Sequence, residues 1–420
     1  MRDQINVCFR DFRNNPLSFT KVVYTFPNAD AELRLRCFQK MEEKYGKNPP
    51  KQISDRLAHE LSCLLGTENR SHAPYFLLVK TLVEHCVSHG GLHSLRGCGG
   101  NSFAAYLLGI TEVNPLPPHK YCPACGYVEF VDPAEWESGF DLFGGAQDEE
   151  PCPHCGAGLI GDGHNLDSTF LFGEDGSLYP IFGINVSEQL FHPMFDYLAG
   201  LGDVYENIPK TDVYAGLSSY IIEICSSRWL SVLKELEART GVPARSVPID
   251  HSLISCLAEN SEYLPYISKG SFLVLQKFCP GSFSELVQVC GLSHGTGTWK
   301  GNAEDILGSV CDAKDVIAHR DDILQTLLRY GVDRRTSIKL SHATRKGRAK
   351  GALTTETTAL LQEKGVPEWY VSSMKKIAYL FPRAHATENC IQALRLTWYQ
   401  AHFPRGFADT VLSEDYGSKI

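Results

Sequence analysis

Residues 110–126 read ITEVNPLPPHKYCPACG, a proline-rich run that carries no helical or strand period and ends in the pair Cys122 and Cys125. A second pair, Cys152 and Cys155, follows after a gap of 26 residues, and each pair is closed by a glycine, Gly126 or Gly156. Two C-x-x-C knuckles of this kind suit tetrahedral zinc, because each supplies two thiolates and the glycine permits the tight turn behind them. Four thiolates leave no open coordination position, so the expected zinc is structural. The alternative is four unligated thiols in a loop. His154 lies inside the second knuckle and is expected beside the metal or exposed, since four cysteines already complete the set. Cys152-Pro-His-Cys155 with its preceding proline also matches half of a zinc-deaminase signature, but no H-x-E partner accompanies it. The whole of 114–165 is rich in Pro, Gly, Cys and Asp, which predicts an irregular insertion organised by metal.

Outward from the insertion the chain becomes periodic. Residues 31–45 and 53–65 place apolar side chains at three- and four-residue spacings, with Pro49-Pro50 between them, and predict two amphipathic helices. Pro74 to His89 predicts a third, more apolar helix, followed by the glycine-rich Gly90 to Gly100 loop and a small-residue helix over 102–108. The first fifteen residues show no strong period, and Tyr24 to Asn28 reads as a short extended entry. Phe170 to Phe172 and Leu178 to Val186 read as a hairpin turning at 173–176, and from Ser218 the pattern is mainly helical.

The chain has 420 residues, 43% hydrophobic, enough for two to three domains. A net charge of −9 argues against a surface coated in basic residues, so any nucleic-acid binding must be local. The one local excess is Arg334, Arg335, Lys339, Arg345, Lys346, Arg348 and Lys350, seven cations with no acid between them. They read either as a DNA-binding segment or as a solvated loop and helix face. No apolar run reaches the roughly 18 residues of a membrane span, and no secretory signal follows Met1, which predicts a cytoplasmic protein without membrane contact. The eleven cysteines outside the knuckles read as reduced core residues.

Ile110 to His119 resembles, almost word for word, the palm of the PolC-type bacterial DNA polymerase III alpha subunits. Three further motifs recur in chain order: Arg96 to Phe103 (RGCGGNSF) is similar to the family's phosphate-contacting loop, Ser284 to Trp299 (SELVQVCGLSHGTGTW) to its fingers, and Val366 to His402 to a later helical region. The resemblance covers most of residues 30–405 and implies an α+β fold, a polymerase-like palm with a four-cysteine zinc insertion followed by a mainly helical fingers-like region. The implied domains are an N-terminal helical segment of the palm over 1–75, a palm-like domain over 76–225 with the insertion at 115–165, and a helical fingers-like domain over 226–420. Such a polymerase is several times longer, so the expectation is a bacterial, cytoplasmic polymerase core alone, and a shortened one. Only about 25 residues between Val186 and Val213 stand where the family has a long insertion.

The resemblance also implies a test of chemistry. Nucleotidyl transfer in this family uses two metal ions held by carboxylates, an Asp-x-Asp pair on one strand and a third aspartate on a later strand. The matching positions here are Ile181, Gly183 and Glu223, and no carboxylate lies between Gly176 and Ser187. Isoleucine and glycine supply no ligand, so the resemblance does not favour Mg²⁺ as a cofactor. Glu223 reads either as a weak Mg²⁺ ligand or as a part-buried carboxylate paired with a basic neighbour. Arg96, Gly97 and Ser102 remain in the phosphate loop, Arg96 either as a phosphate contact or as a palm salt bridge. Ser293, His294, Lys375, Lys376, Arg383 and His385 correspond to positions near nucleotide or template, or else survive as packing residues. A hydrolytic pair of Ser293 with His294 is disfavoured, since adjacent residues rarely face each other. The leading expectation is a non-catalytic polymerase-like protein that binds nucleic acid, nucleotide or a replication-related partner. Its alternatives are an active polymerase with relocated carboxylates such as Asp175, Glu188, Asp196 or Glu223, and a zinc-stabilised interaction protein.

Overall fold

The computed structural model describes residues 3–11, 16–24, 26–65, 71–143, 150–201, 203–206, 220–249, 251–259 and 269–411. These fall into two compact units, Met1–Pro248 with Trp398–Ile420 and Ile249–Thr397. The fold is a mixed α+β one.

The first unit is built on a six-stranded sheet. Its strands are β1 (Asp3–Arg10), β2 (Pro16–Tyr24), β3 (His93–Arg96), β7 (Ile181–Ser187), β8 (Asp203–Glu206) and β9 (Tyr220–Ser227), in the order β3-β7-β9-β1-β2-β8. β9 runs parallel to both neighbours, β7 and β1, while the remaining pairs are antiparallel. Residues 3–10, expected to lack a period, alternate after all: Ile5, Val7 and Phe9 point into the core and leave Asn6, Cys8 and Arg10 on the opposite face. The region after Ser218 likewise opens with strand β9 before its helices begin.

The three helices expected from sequence, two from their periodicity and the third from its apolar run, cover the core face: α1 (Ala29–Tyr45), α2 (Lys51–Leu65) and α3 (Ala73–Ser88). In α1, Leu33, Cys37, Met41 and Tyr45 form a buried stripe of four-residue spacing, the signature of one face docked on a layer. α3 is buried nearly all round, and its Tyr75 hydroxyl donates to Ile221 O at 2.6 Å and accepts from Phe182 N at 2.9 Å, which fixes it to β9 and β7 together.

The expected hairpin at 170–186 is not formed. Thr169–Phe172 is a short helical turn, α5, with all four residues buried. A strand facing one layer would alternate in burial, and here the run of adjacent apolar side chains is satisfied by closing Phe172 N onto Ser168 O at 3.1 Å. The strand half of the forecast survives as β7, which pairs with β3 and β9 instead.

The insertion holds a small antiparallel sheet, with β4 (His119–Tyr121) between β5 (Val128–Phe130) and β6 (Ile160–Asp162). The second unit is helical, including Phe283–His294, Arg320–Arg329, Arg334–Arg345, Glu368–Lys376 and most of Arg383–His402. Its core gathers Ile323, Leu327, Leu340, Leu361, Tyr370 and Met374. No helix among the described residues is long and apolar enough to cross a membrane.

Candidate functional site

The two knuckles converge at one end of the small sheet. The Sγ atoms of Cys122 and Cys155 lie 3.4 Å apart, those of Cys125 and Cys152 3.6 Å apart, and all four fall within 4.8 Å of one another. Four sulfurs at Zn–S bonds of about 2.3 Å would sit about 3.8 Å apart, so the donor set fits a thiolate-binding metal such as zinc. Both turns have the same build. Cys122 N donates to Tyr127 O at 2.8 Å and Gly126 N to Cys122 O at 3.0 Å, while Cys152 N donates to Ala157 O at 2.7 Å and Gly156 N to Cys152 O at 2.8 Å. Gly126 has φ of 73°, and a Cβ there would lie 2.8 Å from Gly46 N, so only glycine closes this knuckle against the end of helix α1. The His154 ring rests on Tyr127 at 4.6 Å, and its backbone N–H donates to Cys152 Sγ at 3.4 Å.

A buried polar cluster holds the insertion to the helical layer. Asp162 Oδ2 on β6 accepts from Lys44 Nζ of α1 at 3.0 Å, from Tyr106 Oη at 2.9 Å and from Asn114 Nδ2 at 2.8 Å. Burial would raise this carboxyl, but Lys44, then His119 and the Asn114 hydrogen bond, hold it well below the usual range. The Lys44 ammonium also lies 4.2 Å from the Tyr121 ring.

The sheet face opposite the helices is where the resemblance expects metal. Register puts Gly183 of β7 beside Glu223 of β9, Glu223 beside Cys8 of β1, and Arg96 of β3 beside Gly183. Glu223 accepts two hydrogen bonds from Arg10, at 3.0 Å from Nε and 2.8 Å from Nη2, with side chains 21% and 13% exposed. Arg96 Nη1 donates to Cys225 Sγ at 3.0 Å. Its aliphatic stem crosses the bare Gly183, where a Cβ would meet Arg96 Cγ at 2.2 Å. Ile181 is 47% exposed at the strand entrance. Among the described residues, the carboxylate of this face, Glu223, is thus already spanned by a guanidinium, and the aliphatic stem of a second arginine lies over Gly183 with its guanidinium on Cys225. This arrangement does not fit two divalent cations, which need clustered, unneutralised oxygen ligands. Among the described residues, the four cysteines are the only group of three or more close-set metal ligands. Neither Arg10 nor Cys225 was singled out by sequence, although the alternation of 5–9 would have placed Arg10 on this face.

In the glycine-rich loop, Gly97 adopts φ of 75° and Arg96 is half-buried. Ser102 is buried and caps the short helix α4 (Phe103–Leu107), accepting from Ala105 N at 3.1 Å and donating to Glu60 Oε2 at 2.9 Å. Glu60, fully buried, also takes Phe103 N at 2.8 Å, Ala104 N at 3.1 Å and Arg56 Nε at 2.6 Å. The Ser102 hydroxyl is thus engaged inside the fold.

In the second unit the two stretches resembling fingers meet. Thr296 N donates to Tyr379 O at 2.9 Å and Ala378 N to Thr296 O at 2.8 Å, and the His294 ring stacks 5.0 Å from Phe381, which in turn stacks 4.7 Å from His385. Ser293 Oγ returns its proton to Val289 O at 2.6 Å, away from His294, whose Nδ1 contacts Cys290 O at 2.9 Å and Cys290 Sγ at 3.8 Å. Burial would lower His294, and the Cys290 thiol raises it to about 9. Lys375 is exposed, Lys376 Nζ donates to Gly301 O at 2.7 Å, and buried Arg383 lies 3.6 Å from Asp322. Arg334, Arg335, Lys339, Lys346, Arg348 and Lys350 are all exposed, on the helix Arg334–Arg345, the turn after it and the short helix Ala349–Ala352, and Arg345 is half-buried. Burial together with Arg320, Arg345 and Lys346 pushes His342 down to about 4, a mark of concentrated positive potential.

Residues 31–187 match the family described as the bacterial DNA polymerase III alpha NTPase domain. The chain is 28% identical to the DNA polymerase III PolC-type of Caldanaerobacter subterraneus, an alignment covering 94% of this chain and 35% of the relative. Against the PolC-type proteins of Bacillus subtilis and Clostridium perfringens the identity is 27% in each case, over 89% and 94% of this chain and 32% and 34% of theirs. The Caldanaerobacter alignment is 504 residues long against a chain of 420, so that relative carries interior segments with no counterpart here. Along about nine tenths of its length the chain is thus a relative of the PolC-type DNA polymerase III proteins, and it spans about a third of the length of the curated relatives it matches.

Proposed function

We propose that this chain is a polymerase-like scaffold that has given up two-metal nucleotidyl transfer and engages nucleic acid, nucleotide or a replication partner. In this reading 1–75 and 76–225 form the palm-like part, with a structural zinc in the insertion, and 226–420 the fingers-like part. The observation that carries it is the sheet face with Ile181, Gly183 and the Arg10–Glu223 pair where the family would place three carboxylates. Binding falls to the helical unit, through the exposed cations at 334–350 and the turn that joins His294 to His385. Lysines and arginines so concentrated would neutralise phosphates locally on a chain whose net charge is −9.

The test is primer extension with Mg²⁺ or Mn²⁺ on zinc-loaded protein, beside DNA binding across a salt series. Binding that weakens steeply with salt, with no extension above background, is the expected outcome. Metal-dependent extension would sink the proposal and direct attention to Asp175, Glu188 or Asp196. Absence of both activities would favour the zinc-stabilised interaction protein.

A further inference from the structure

The second unit carries a cleft of about 620 Å³ whose lining includes none of the residues discussed so far as binding or catalytic candidates. Its volume falls in the range of clefts that bury a ligand of several residues or drug size. Trp369 and Tyr370, packed edge to face at 5.4 Å, line it together with Tyr330. The loop at 308–315 adds Cys311, Asp312 and Asp315. Both carboxylates act inside the cleft: burial first, then Asp315 and Asp312, push the Cys311 thiol up to about 11. The one cation of the lining, Arg329, donates to Thr326 Oγ1 at 3.1 Å, so two carboxylates stand against one guanidinium. Aromatic rings beside two carboxylates form a surface that attracts an organic cation, by ring quadrupole and by charge. Tyr330 and Val310, 37% and 52% exposed, extend that surface with apolar area a single ammonium group would not use.

We infer that this cleft docks a short polypeptide segment that presents an arginine or lysine side chain to Trp369, Asp312 and Asp315, with a neighbouring apolar residue against Tyr330 and Val310. Tryptophan, tyrosine and arginine are the side chains that dominate such anchoring surfaces. The inference concerns the helical unit alone and stands whether or not the polymerase reading holds.

The test uses the full zinc-loaded chain, with tryptophan fluorescence and calorimetry as readouts. The probes are a capped Ala-Arg-Leu-Ala peptide, its glutamate counterpart Ala-Glu-Leu-Ala, and spermidine. The arginine peptide should bind with an affinity that falls as salt rises, and the glutamate peptide should not. Asp315→Asn should weaken binding about tenfold, the effect of one lost charge-assisted contact. Trp369→Phe should remove the fluorescence response while calorimetric binding persists, and unchanged far-ultraviolet dichroism of both variants secures the fold. Failure of the arginine peptide to bind, equal binding of the glutamate peptide, binding of spermidine alone, or indifference to Asp315→Asn would each overturn the inference.

Discussion

Replacing Asp162 with asparagine should cost about 3 kcal/mol. The carboxylate is 7% exposed, and its Oδ2 gathers Lys44, Tyr106 and Asn114 within 3.0 Å. Removing one partner of a buried ion pair costs about 3–5 kcal/mol, because the other charge stays behind unneutralised. The Tyr121 ring lies 4.2 Å from the Lys44 ammonium and would keep about 1 kcal/mol of that interaction, which puts the expected loss at the lower end. The assay is urea unfolding of the zinc-loaded chain, run as a double-mutant cycle with Lys44→Met. The asparagine variant alone should lose about 3 kcal/mol, and the pair together less than the sum of the two. Zinc affinity, measured by chelator competition, should be unchanged because no thiolate is touched. A loss below about 1 kcal/mol for Asp162→Asn, or a coupling of zero, would refute the view that this ion pair holds the insertion to helix α1. The carboxyl is also an acid sensor. Its folded pKa is depressed, so its contribution is complete above the ordinary value of 3.8 and is lost as pH falls below it.

Other consequences can be measured separately. Chelation, or Cys152→Ser, should melt β4 to β6 first, since zinc binding contributes on the order of 10 kcal/mol to a segment whose own apolar cluster is small; exchange of the Cys122 and Cys152 amides reports it. Gly126→Ala should destabilise the same segment even with zinc bound, because the added Cβ meets backbone of residues 45 and 46 at 2.8–2.9 Å. His93 is buried and, by desolvation and then by Arg245, lowered to about 4. The unfolded chain binds its proton near pH 6.5, so stability should fall between about pH 6.5 and 4, by about 3 kcal/mol in full, and His93→Gln should flatten that part of the profile. Ile181→Asp with Gly183→Asp should not restore tight Mn²⁺ binding until Arg96 is also shortened, because the new carboxylate and the guanidinium stem claim the same space; paramagnetic resonance of bound Mn²⁺ tests each step.

Much of this was readable from the chain and some was not, for physical reasons. The knuckles were legible because metal geometry constrains spacing as strictly as any fold constraint, the helices α1 and α2 because one docked face imposes a period, and α3 because its long apolar run suits a helix buried nearly all round. Thr169–Phe172 misled because three adjacent apolar residues serve a buried strand or a buried turn equally well. The strand over 3–10 was missed because buried Cys8 breaks the polar half of its alternation. That positions 181 and 183 carry no carboxylate was visible in the letters themselves. What stands there instead was not, since Arg10 and Arg96 reach Glu223 and Gly183 only across strands separated by more than eighty residues.

The strand order has a consequence for how the chain is made. β1 pairs with β2 on one edge but needs β9 on the other as its parallel neighbour, so that second edge waits more than two hundred residues for its partner. The helix Pro404–Val411 packs on the helix Arg228–Thr240, and Tyr399 Oη donates to Val242 O at 2.5 Å, so the first unit is completed by residues that follow the whole of the second unit in the chain. Its helical neighbour at 249–397 is uninterrupted in sequence and can finish first. A nascent chain should thus acquire protease resistance over 249–397 before it does so over the first unit, and the long-range closure should set the overall folding rate.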